Sequence, residues 1–456
     1  MDLDELLWAG ADAQARALRD GTVTAPDLLE AVLRRADEVN PRVNAFRVVY
    51  TEAARAAAVE AQRRLDAGER TPLLGVPVAM KDDLDVAGDV TTGGGLPQLP
   101  PASQDSEVAA RLAAAGAVLV GKTLLPDRGL WPFTETLTYG ATRNPWDLGR
   151  STGGSSGGSG AAVAAGIVGA ATGSDGGGSV RIPAAACGIF GLKTSRGLVP
   201  SEPLAGRWHG LTVVGPLGRR VADAAAMLEV LTGEPGYLSA AETDPGPLRI
   251  ALSWRTPLGN PVIEKQRKRA VLETADRLRA LGHQVDVTNP ALGVAPASQF
   301  FVRYHRAITD DVAALPHPEW LEARTRGMAR LGSRFSDRVL ARMRAAEAGL
   351  QETMAEFFTR YDVILQPALV LRQSRVGRYH GRGALQTLAG ASMEIPYFPT
   401  WNVLGLPVAA VPVGFDAGGL PMGVQLVGPA LSEQRLLSLS GQVERAHPWV
   451  NRRPVV

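Results

Sequence analysis

The segment from Gly153 to Pro183 has the residue types that a serine-based hydrolytic site needs. Two glycine-serine runs flank a small-residue apolar stretch, Ala161–Ala171, and each run holds serines without bulky neighbours. Glycine allows positive φ and close approach of a substrate, and successive N–H groups can converge on an oxygen that becomes negative. The spacing of a phosphate-binding loop is missing, and a flexible linker would not enclose an apolar stretch suited to a buried helix and strand. The segment therefore indicates a hydroxyl nucleophile beside an oxyanion-binding loop.

The motifs in and around this segment closely resemble those of the amidase signature family of serine hydrolases. The segment itself reads GGSSGGS at 153–159 and GSDGGGSVRIP at 173–183. The other matches, in the family's order, are GVPVAMKD at 75–82, GKT at 121–123, GATRNPW at 140–146, the pair CG and KT within 187–194, and GLPMGVQ at 419–425. The resemblance runs from about Pro26 to Trp449, with a poorly matched gap between Asn289 and Thr400. Several long motifs in the right order make it specific.

The resemblance implies a stand-alone amidase that cleaves the C–N bond of carboxylic amides through a Ser–cisSer–Lys triad and an acyl-enzyme. By match to the family motifs, Ser179 is the nucleophile and Lys81 is the base. Ser155 relays the proton between them and is held by a cis peptide bond to the preceding residue, Gly154. The expected oxyanion donors are the backbone N–H groups of Gly176, Gly177, Gly178 and Ser179. No cofactor is expected, and no metal, because the six histidines are scattered without metal-ligand spacing.

Lysine is rare in this chain, which makes Lys81 conspicuous. Only five of the 48 basic residues are lysines, so a retained lysine indicates a compact or deprotonatable amine, although Lys265 and Lys268 fit a polar helix face. A lysine acts as a base only when neutral, and burial can lower its pKa by up to about 3–5 units. Strand alternation points Asp82 to the opposite face. We expect Asp83 to lie past the strand end, away from the amine, because a nearby carboxylate would oppose that shift.

The remaining motif residues also have plainer interpretations. Serines in glycine-rich loops usually satisfy local backbone groups, and Ser156 is interpreted as a support of the loop. Asp175 and Arg181 are predicted either to pair across the oxyanion turn and hold it, or to leave Asp175 as an exposed turn residue. Cys187 lies in an alanine-rich run and is interpreted as a small buried hydrophobe.

A rival interpretation places the nucleophile at Ser155. The residues 153–157 formally satisfy G-x-S-x-G, the nucleophile elbow of α/β-hydrolases, with a downstream Asp and a histidine such as His283 or His447. However, the elbow should follow an apolar strand, and residues 145–152 are polar and turn-like. That interpretation also leaves the Ser179 loop without a role.

Other function classes fit less well. The family includes an amidotransferase subunit that releases ammonia from glutamine, but residues 124–138 lack the small polar run associated with that subunit. A binding module without activity would not need Ser179, Ser155 and Lys81 together. A carbamate or ester hydrolase remains an alternative, because the same acyl chemistry cleaves those bonds.

The composition of the chain limits the classes of binding partner to expect. The chain has 456 residues, 45% of them hydrophobic and 21% charged, with a formal charge of +2 and one cysteine. Such a balance gives no reason to expect nucleic acid or an anionic membrane as partner, and one cysteine excludes an internal disulfide framework. The acidic start lacks signal-peptide character, and no apolar run reaches membrane-spanning length. We expect a cytoplasmic protein whose partner is a small-molecule amide, and the sequence leaves single chain or homodimer open.

Helical and strand-like patterns alternate after an N-terminal helical region, in which one helical pattern covers 6–19. Later patterns predict strands at 284–287 and 362–366 and a helix at 433–446. Such alternation implies a largely parallel or mixed sheet covered on both faces. With the resemblance, the predicted fold is α/β, a single domain with a central mixed β-sheet covered by helices on both faces and a helical cap insertion. The expected parts are N-terminal helices at 1–70, a catalytic core at 71–289, a variable helical cap at 290–398 and a C-terminal return to the core at 399–456.

Aromatic residues near the cap predict the substrate class. Trp131 and Phe133 precede the matched motif at residue 140, Phe398 ends the cap and Trp401 follows it. We expect these four side chains to form an apolar pocket that favours hydrophobic aryl or aliphatic amides over glutamine or asparagine. Many aromatic residues of the cap itself fit its own core, since they recur at helical intervals.

Overall fold

A computed structural model describes residues 2–96, 98–203 and 205–456. Its strands in chain order are β1 (Phe46–Val49), β2 (Pro77–Lys81), β3 (Val118–Thr123), β4 (Glu135–Thr136), β5 (Gly140–Ala141), β6 (Arg143–Asn144), β7 (Asp147–Ser151), β8 (Ala170–Asp175), β9 (Phe190–Lys193), β10 (Val213–Gly218), β11 (Arg249–Leu252), β12 (Gln284–Val287), β13 (Val363–Pro367), β14 (Val408–Phe415) and β15 (Pro421–Val427). Eleven of them form one sheet in the order β1-β3-β2-β8-β10-β9-β14-β15-β13-β11-β12. The four short strands β4–β7 form two separate two-stranded ladders.

The central sheet is mixed. Strand β2 is parallel to both of its neighbours, β3 and β8, and β11 is parallel to both β12 and β13. The strands between these two parallel groups pair antiparallel. This architecture confirms the predicted α/β class with a central mixed sheet.

Helices surround the sheet. In chain order they are α1 (Leu3–Ala9), α2 (Ala11–Arg19), α3 (Ala25–Val43), α4 (Thr51–Asp66), α5 (Glu107–Ala114), α6 (Gly157–Ala164), α7 (Arg181–Cys187), α8 (Arg207–Gly210), α9 (Val221–Thr232), α10 (Tyr237–Glu242), α11 (Lys265–Ala280), α12 (Ala295–Ala313), α13 (Ala323–Gly332), α14 (Asp337–Ala345), α15 (Glu347–Arg360), α16 (Ala384–Ser392), α17 (Thr400–Leu404) and α18 (Glu433–Ala446). Three short 3₁₀ turns lie at Asp127–Gly129, Pro318–Trp320 and Trp449–Asn451. None of the helices in the described ranges is both long and apolar enough to cross a membrane.

The N-terminal helical pattern at 6–19 is broken into α1 and α2 by Gly10. This residue has φ +96°, and the carboxylate of Asp223 occupies the position that a β-carbon would take. The same carboxylate accepts the backbone N–H of Asp12 at 3.0 Å, so it caps the first turn of α2. Apolar periodicity does not reveal this break, because both helices keep the same buried face.

The helical cap predicted for 290–398 contains one strand of the central sheet, at the position of the strand-like pattern at 362–366. Helices α12–α15 fill 295–360, but the chain then returns to the sheet as β13, which pairs with β15 and β11. A fully buried run, Val363–Pro367, satisfies its backbone groups by joining the sheet. Helix α16 then rejoins α13, with which it is in contact. The cap therefore consists of two segments on either side of a core strand.

The cap helices share one apolar cluster with residues of the central sheet, such as Ile364 and Val408, and with residues beside the catalytic segment. Its buried members include Tyr304 of α12, Met328 of α13 and Phe357 of α15. Trp131 and Phe133 belong to the same cluster. The cap is thus packed directly against the segment that precedes the Ser155 loop.

Candidate active site

Lys81 and Ser155 meet beneath the glycine-rich loops. Lys81 is the last residue of β2, all five of whose residues are buried. Its Nζ donates to Ser155 Oγ at 2.8 Å and to Ser174 Oγ at 2.7 Å. Ser155 follows Gly154 through a cis peptide bond. A neutral amine in this position can accept a proton from the Ser155 hydroxyl.

Asp83 lies beside Lys81, which contradicts the expectation that it points away. Its Oδ2 is 3.4 Å from Lys81 Nζ and accepts the Ser174 hydroxyl at 2.5 Å. The strand ends at Lys81, and the chain turns at once, with the N–H of Leu84 donating to Lys81 O at 3.3 Å. This turn returns Asp83 to the face of the amine. Asp82 does lie on the opposite face, as alternation predicts, 3.1 Å from Lys122 Nζ.

Burial and charge act in opposite directions on this pair. Burial lowers the pKa of Lys81 and outweighs the opposing effect of Asp83. Burial alone would raise the pKa of Asp83, but the charges of Lys81 and Arg207 and the hydroxyl of Ser174 hold it below its usual value. Arg207 Nη1 is 3.6 Å from Asp83 Oδ2, so two cations share this carboxylate.

Ser179 is one of two accessible residues in a buried segment. Between residues 151 and 187, only Gly177 and Ser179 are partly exposed. The backbone carbonyl of Ser179 accepts the N–H of Ser156 at 3.2 Å, which places the two serine loops side by side. Substrate can therefore reach the glycine-rich turn at Ser179, while Ser155 and Lys81 lie below the surface.

The predicted set of oxyanion donors needs one correction. The N–H of Gly178 donates to Asp175 Oδ1 at 2.7 Å, because Gly178, at φ +125°, turns the loop back over that carboxylate. The described part of the chain provides no acceptor for the N–H groups of Gly176, Gly177 and Ser179. These three donors can bind a developing oxyanion, whereas Gly178 holds the loop.

Asp175 and Arg181 form a buried ion pair under the loop, the first of the two alternatives that the sequence left open. Both side chains are fully buried, and Arg181 Nη2 lies 3.0 Å from Asp175 Oδ1. Burial alone would raise the pKa of Asp175, but the guanidinium of Arg181 holds it well below its usual value. Arg181 also donates to Gln425 Oε1 at 2.8 Å and to Asn402 Oδ1 at 2.7 Å. The C-terminal part of the chain thus fixes the loop from behind.

An apolar cavity of about 60 Å³ opens at Ser179. Among the residues that the structure describes, no charged side chain lines it. Its lining residues are Leu130, Trp131, Pro132, Gly177, Ser179, Ile182, Trp208, Phe300, Tyr304, Leu388, Ala391, Ser392 and Ile395. The cap contributes the stacked pair Phe300 and Tyr304, whose ring centroids are 5.2 Å apart. The cavity suits an uncharged apolar group.

Of the four aromatic residues predicted to contact substrate, only Trp131 lines this cavity. Phe133 is buried behind it, stacked on Tyr379. Phe398 is fully buried against Gly178, and its carbonyl accepts from Arg181. Trp401 faces a different cleft, of about 230 Å³. Aromatic content near a motif indicates burial but not which side of the loop a ring faces.

The geometry contradicts the nucleophile-elbow alternative. Ser155 is hydrogen-bonded to Lys81 and not to a histidine. His283 accepts from the N–H of Leu248 at 3.1 Å and contacts Gln442 at 2.8 Å, and His447 is exposed at the end of α18. Moreover, the strand before Ser155 is β7, which lies outside the central sheet.

Sequence reasoning missed several residues that organise the site. Ser174 lies in a quoted motif, directly before Asp175. Its position in β8, which pairs with the buried strand β2, was the signal that could have predicted its contact with Lys81. Thr134 donates to the Gly153 carbonyl at 3.1 Å and accepts the Gly157 N–H at 3.2 Å, so it holds the Ser155 loop. Arg207 lies outside the quoted motifs, and the lining residues of α12 and α16 lie in the poorly matched segment. Ser156, by contrast, supports the loop as interpreted, donating to Ser174 O at 3.3 Å.

Comparison with known proteins agrees with this geometry. The family model described as Amidase matches residues 27–437. The Mycobacterium tuberculosis (strain ATCC 25618 / H37Rv) protein named "Putative amidase AmiB2" is 51% identical over 461 residues, covering 100% of both chains. An acylamidase of Rhodococcus erythropolis is 32% identical, covering 100% of this chain and 98% of the relative. The solved structure of 6-aminohexanoate cyclic dimer hydrolase with substrate has a TM-score of 0.87 and 31% identity, covering 98% and 99% of the two chains.

The mixed α/β sheet and the matching family model define an amide-hydrolysing enzyme. With these similarities across its length, the chain belongs to the amidase signature family, and it is an enzyme that hydrolyses amides.

Proposed function

We propose that this amidase cleaves uncharged amides with a hydrophobic acyl or aryl group, using Ser179, Ser155 and Lys81. The observation that carries the proposal is the 2.8 Å hydrogen bond between buried Lys81 and Ser155, directly beside the loop that exposes Ser179. Burial disfavours the charged form of the Lys81 amine, which supports a base function for this residue.

The proposed reaction begins with neutral Lys81. Lys81 takes the proton of Ser155, Ser155 takes the proton of Ser179, and the Ser179 oxygen attacks the amide carbon. The N–H groups of Gly176, Gly177 and Ser179 stabilise the oxyanion of the tetrahedral intermediate. The proton then returns through Ser155 to the leaving nitrogen, the C–N bond breaks, and an acyl-enzyme remains. Water, deprotonated by the same route, releases the carboxylic acid and regenerates Ser179.

The substrate class follows from the cavity at Ser179. Its walls are apolar, and no charged side chain within the described ranges lines it, so a substrate carboxylate or ammonium would lose its hydration without a partner. Burying an apolar group there favours binding by roughly 1–3 kcal/mol. The name of the Rhodococcus erythropolis relative, acylamidase, also supports an acyl amide as substrate. Carbamates and esters with similar apolar groups are the alternative substrates for the same serine.

The test combines a substrate panel with Ser179→Ala. We expect the purified chain to hydrolyse a hydrophobic anilide with kcat/KM at least about tenfold above that for glutamine. Ser179→Ala should lower kcat by at least about 10³-fold, and a serine-directed covalent inhibitor should label the peptide that contains Ser179. Preference for glutamine would refute the substrate class. An adduct on Ser155, or near-normal kcat in Ser179→Ala, would refute the catalytic assignment.

Two tryptophans provide a matched pair for the pocket. Trp131 lines the cavity at Ser179, whereas Trp401, equally buried, faces the other cleft. We expect Trp131→Phe to change the ranking of kcat/KM among anilides of increasing acyl size, and Trp401→Phe to leave that ranking unchanged. A change of ranking in Trp401→Phe alone would place substrate on the other side of the loop.

A further inference from the structure

Asp83 is the centre of a chain of ion pairs that links Lys81 to the cap. Its Oδ2 lies 3.4 Å from Lys81 Nζ and 3.6 Å from Arg207 Nη1. Arg207 Nη2 in turn lies 3.5 Å from Asp311 Oδ2 on cap helix α12. Lys81 and Asp83 are almost wholly inaccessible, and Arg207 is only 12% exposed, so water screens these charges weakly.

The turn that carries Arg207 has an uncommon backbone. Trp208 and His209 both have φ 55°, in the left-handed region that bulky residues rarely adopt. The Trp208 ring lines the cavity at Ser179, and its N–H donates to Asp311 Oδ2 at 3.2 Å. The same acidic side chain of the cap therefore contacts both Arg207 and Trp208. A strained turn kept in place by such contacts is a feature of functional sites.

We propose that Arg207 is a positioning residue that draws the negative charge of Asp83 away from Lys81, and that Asp311 holds Arg207 in place. This inference rests on the proposed role of Lys81 as a base. An unshared carboxylate 3.4 Å from the amine would favour the ammonium form, which cannot accept the Ser155 proton. The guanidinium offers Asp83 a second cation, so that Lys81 can become neutral. Docking of the cap then determines whether the base is competent.

Other charged groups around Lys81 are already paired. Asp175, at the end of β8, is bound to Arg181. On the other face of β2, Asp82 is bound to Lys122 and Arg47. On the cap side, Arg128 Nη2 is 4.0 Å from Asp311 Oδ2. Asp83 is therefore the carboxylate whose charge acts directly on the amine.

The test is the acid limb of the pH profile of kcat/KM, measured on a hydrophobic anilide. Arg207→Gln should move the limb to higher pH, because Lys81 then keeps its proton beside an unshared carboxylate, and kcat/KM below the limb should fall by about tenfold. Asp83→Asn should move the limb to lower pH, because the charge that stabilises the ammonium form is gone. Arg207→Lys keeps the cation and should restore most of the wild-type position.

Neighbouring aspartates of α12 provide the matched control. Asp311→Asn should shift the limb in the direction of Arg207→Gln, but less. Asp310 contacts the same turn through His209, 3.0 Å away, and pairs with Arg306, so Asp310→Asn should leave the limb unchanged. If Arg207 and Asp83 had purely structural roles, their substitutions would lower kcat without moving the acid limb in opposite directions.

Two separate failures can be told apart. If Arg207→Gln leaves the limb in place, or Asp83→Asn moves it to higher pH, the inference is overturned even though Ser179-dependent hydrolysis remains. If wild-type hydrolysis does not depend on Ser179 and Lys81, the proposed function itself fails. A thermal unfolding measurement on each variant checks that it is folded at the temperature of the kinetic assay.

Discussion

Lys81 and Lys122 are both fully buried near the carboxyl ends of adjacent parallel strands, yet their surroundings differ. Lys122 Nζ lies 3.1 Å from Asp82 Oδ1 and 3.6 Å from Asp89 Oδ2. It also donates to Thr91 Oγ1 at 2.9 Å. Lys81 Nζ contacts the hydroxyls of Ser155 and Ser174 and one carboxylate, which is shared with Arg207. One lysine sits between two carboxylates, and the other faces a proton donor.

The difference shows that burial alone does not make a lysine a base. Burying a charged amine costs desolvation free energy, and the ion pairs with two carboxylates offset that free energy at Lys122. At Lys81 the hydroxyl groups can hydrogen-bond to either protonation state, so the amine can exchange its proton. Alternation along β2 sends Asp82 to one lysine and the following turn sends Asp83 to the other. Adjacent residues in one sequence motif thus build a structural cation on one face and a candidate base on the other.

The largest expected effect separates the two lysines by activity and stability. Lys81→Met should lower kcat by at least about 10³-fold, because it removes the base. The loss of stability should be small, because Asp83 keeps its ion pair with Arg207. Lys122→Met should lower the free energy of unfolding by about 3–5 kcal/mol, because it leaves two neighbouring carboxylates, Asp82 and Asp89, sharing Arg47. The folded fraction should keep kcat within about tenfold of wild type. Steady-state kinetics and denaturant unfolding measure both. If Lys122→Met lost as much kcat as Lys81→Met, the distinction would be wrong.

The sequence predicts the elements of the fold well where the pattern is local. The strand at 284–287 and the helix at 433–446 have the bounds that periodicity gives, and the mixed sheet follows from the alternation of strands and helices. The strand-like pattern at 362–366 also corresponds to β13, but the sequence does not predict the break at Gly10 or the neighbours of β13 in the sheet. Both depend on contacts distant in sequence, with Asp223 in the first case and with β15 and β11 in the second.

At the candidate site, the motifs identify segments that lie together in the structure, but they do not predict the detailed contacts between them. Lys81 and Ser155, 74 residues apart, are hydrogen-bonded as the resemblance leads one to expect. The predicted position of the Asp83 side chain was wrong, because alternation stops where the strand ends. The turn that follows determines the direction of this side chain. The pocket was largely missed because its walls come from α12 and α16, whose apolar residues look like ordinary cap core until the two segments pack together.

Lys193, a third buried lysine, sharpens the comparison. Its Nζ donates to the carbonyls of Thr194 and Leu406 at 2.9 and 2.8 Å, and burial lowers its pKa to about 7. Between that pKa and the ordinary value near 10.4, the unfolded chain holds a proton that the folded chain lacks, so stability from this group rises with pH. From pH 7 to 9, wild type should gain about 2–3 kcal/mol of unfolding free energy relative to Lys193→Met.

The control for Lys193 is catalytic. It has a lowered pKa but no hydroxyl partner, so Lys193→Met should leave the acid limb of kcat/KM where it is. Denaturant unfolding at several pH values gives the slope, and kinetics give the limb. A shifted limb would mean that a lowered pKa matters for catalysis even without contact to the serines.

The smallest effect is expected at Asp89, on the Lys122 face of β2. Asp89 is 21% exposed and accepts the hydroxyl of Tyr50 at 2.5 Å, while Asp82 remains as the main partner of Lys122. Asp89→Asn should therefore cost about 1 kcal/mol of unfolding free energy, because one partly hydrated charge is lost from a pair that keeps its buried member. The acid limb of kcat/KM should not move, in contrast to Asp83→Asn on the other face. A limb that moved to lower pH in Asp89→Asn would show that charge on either face acts on Lys81, and the separation between the two lysines would no longer hold.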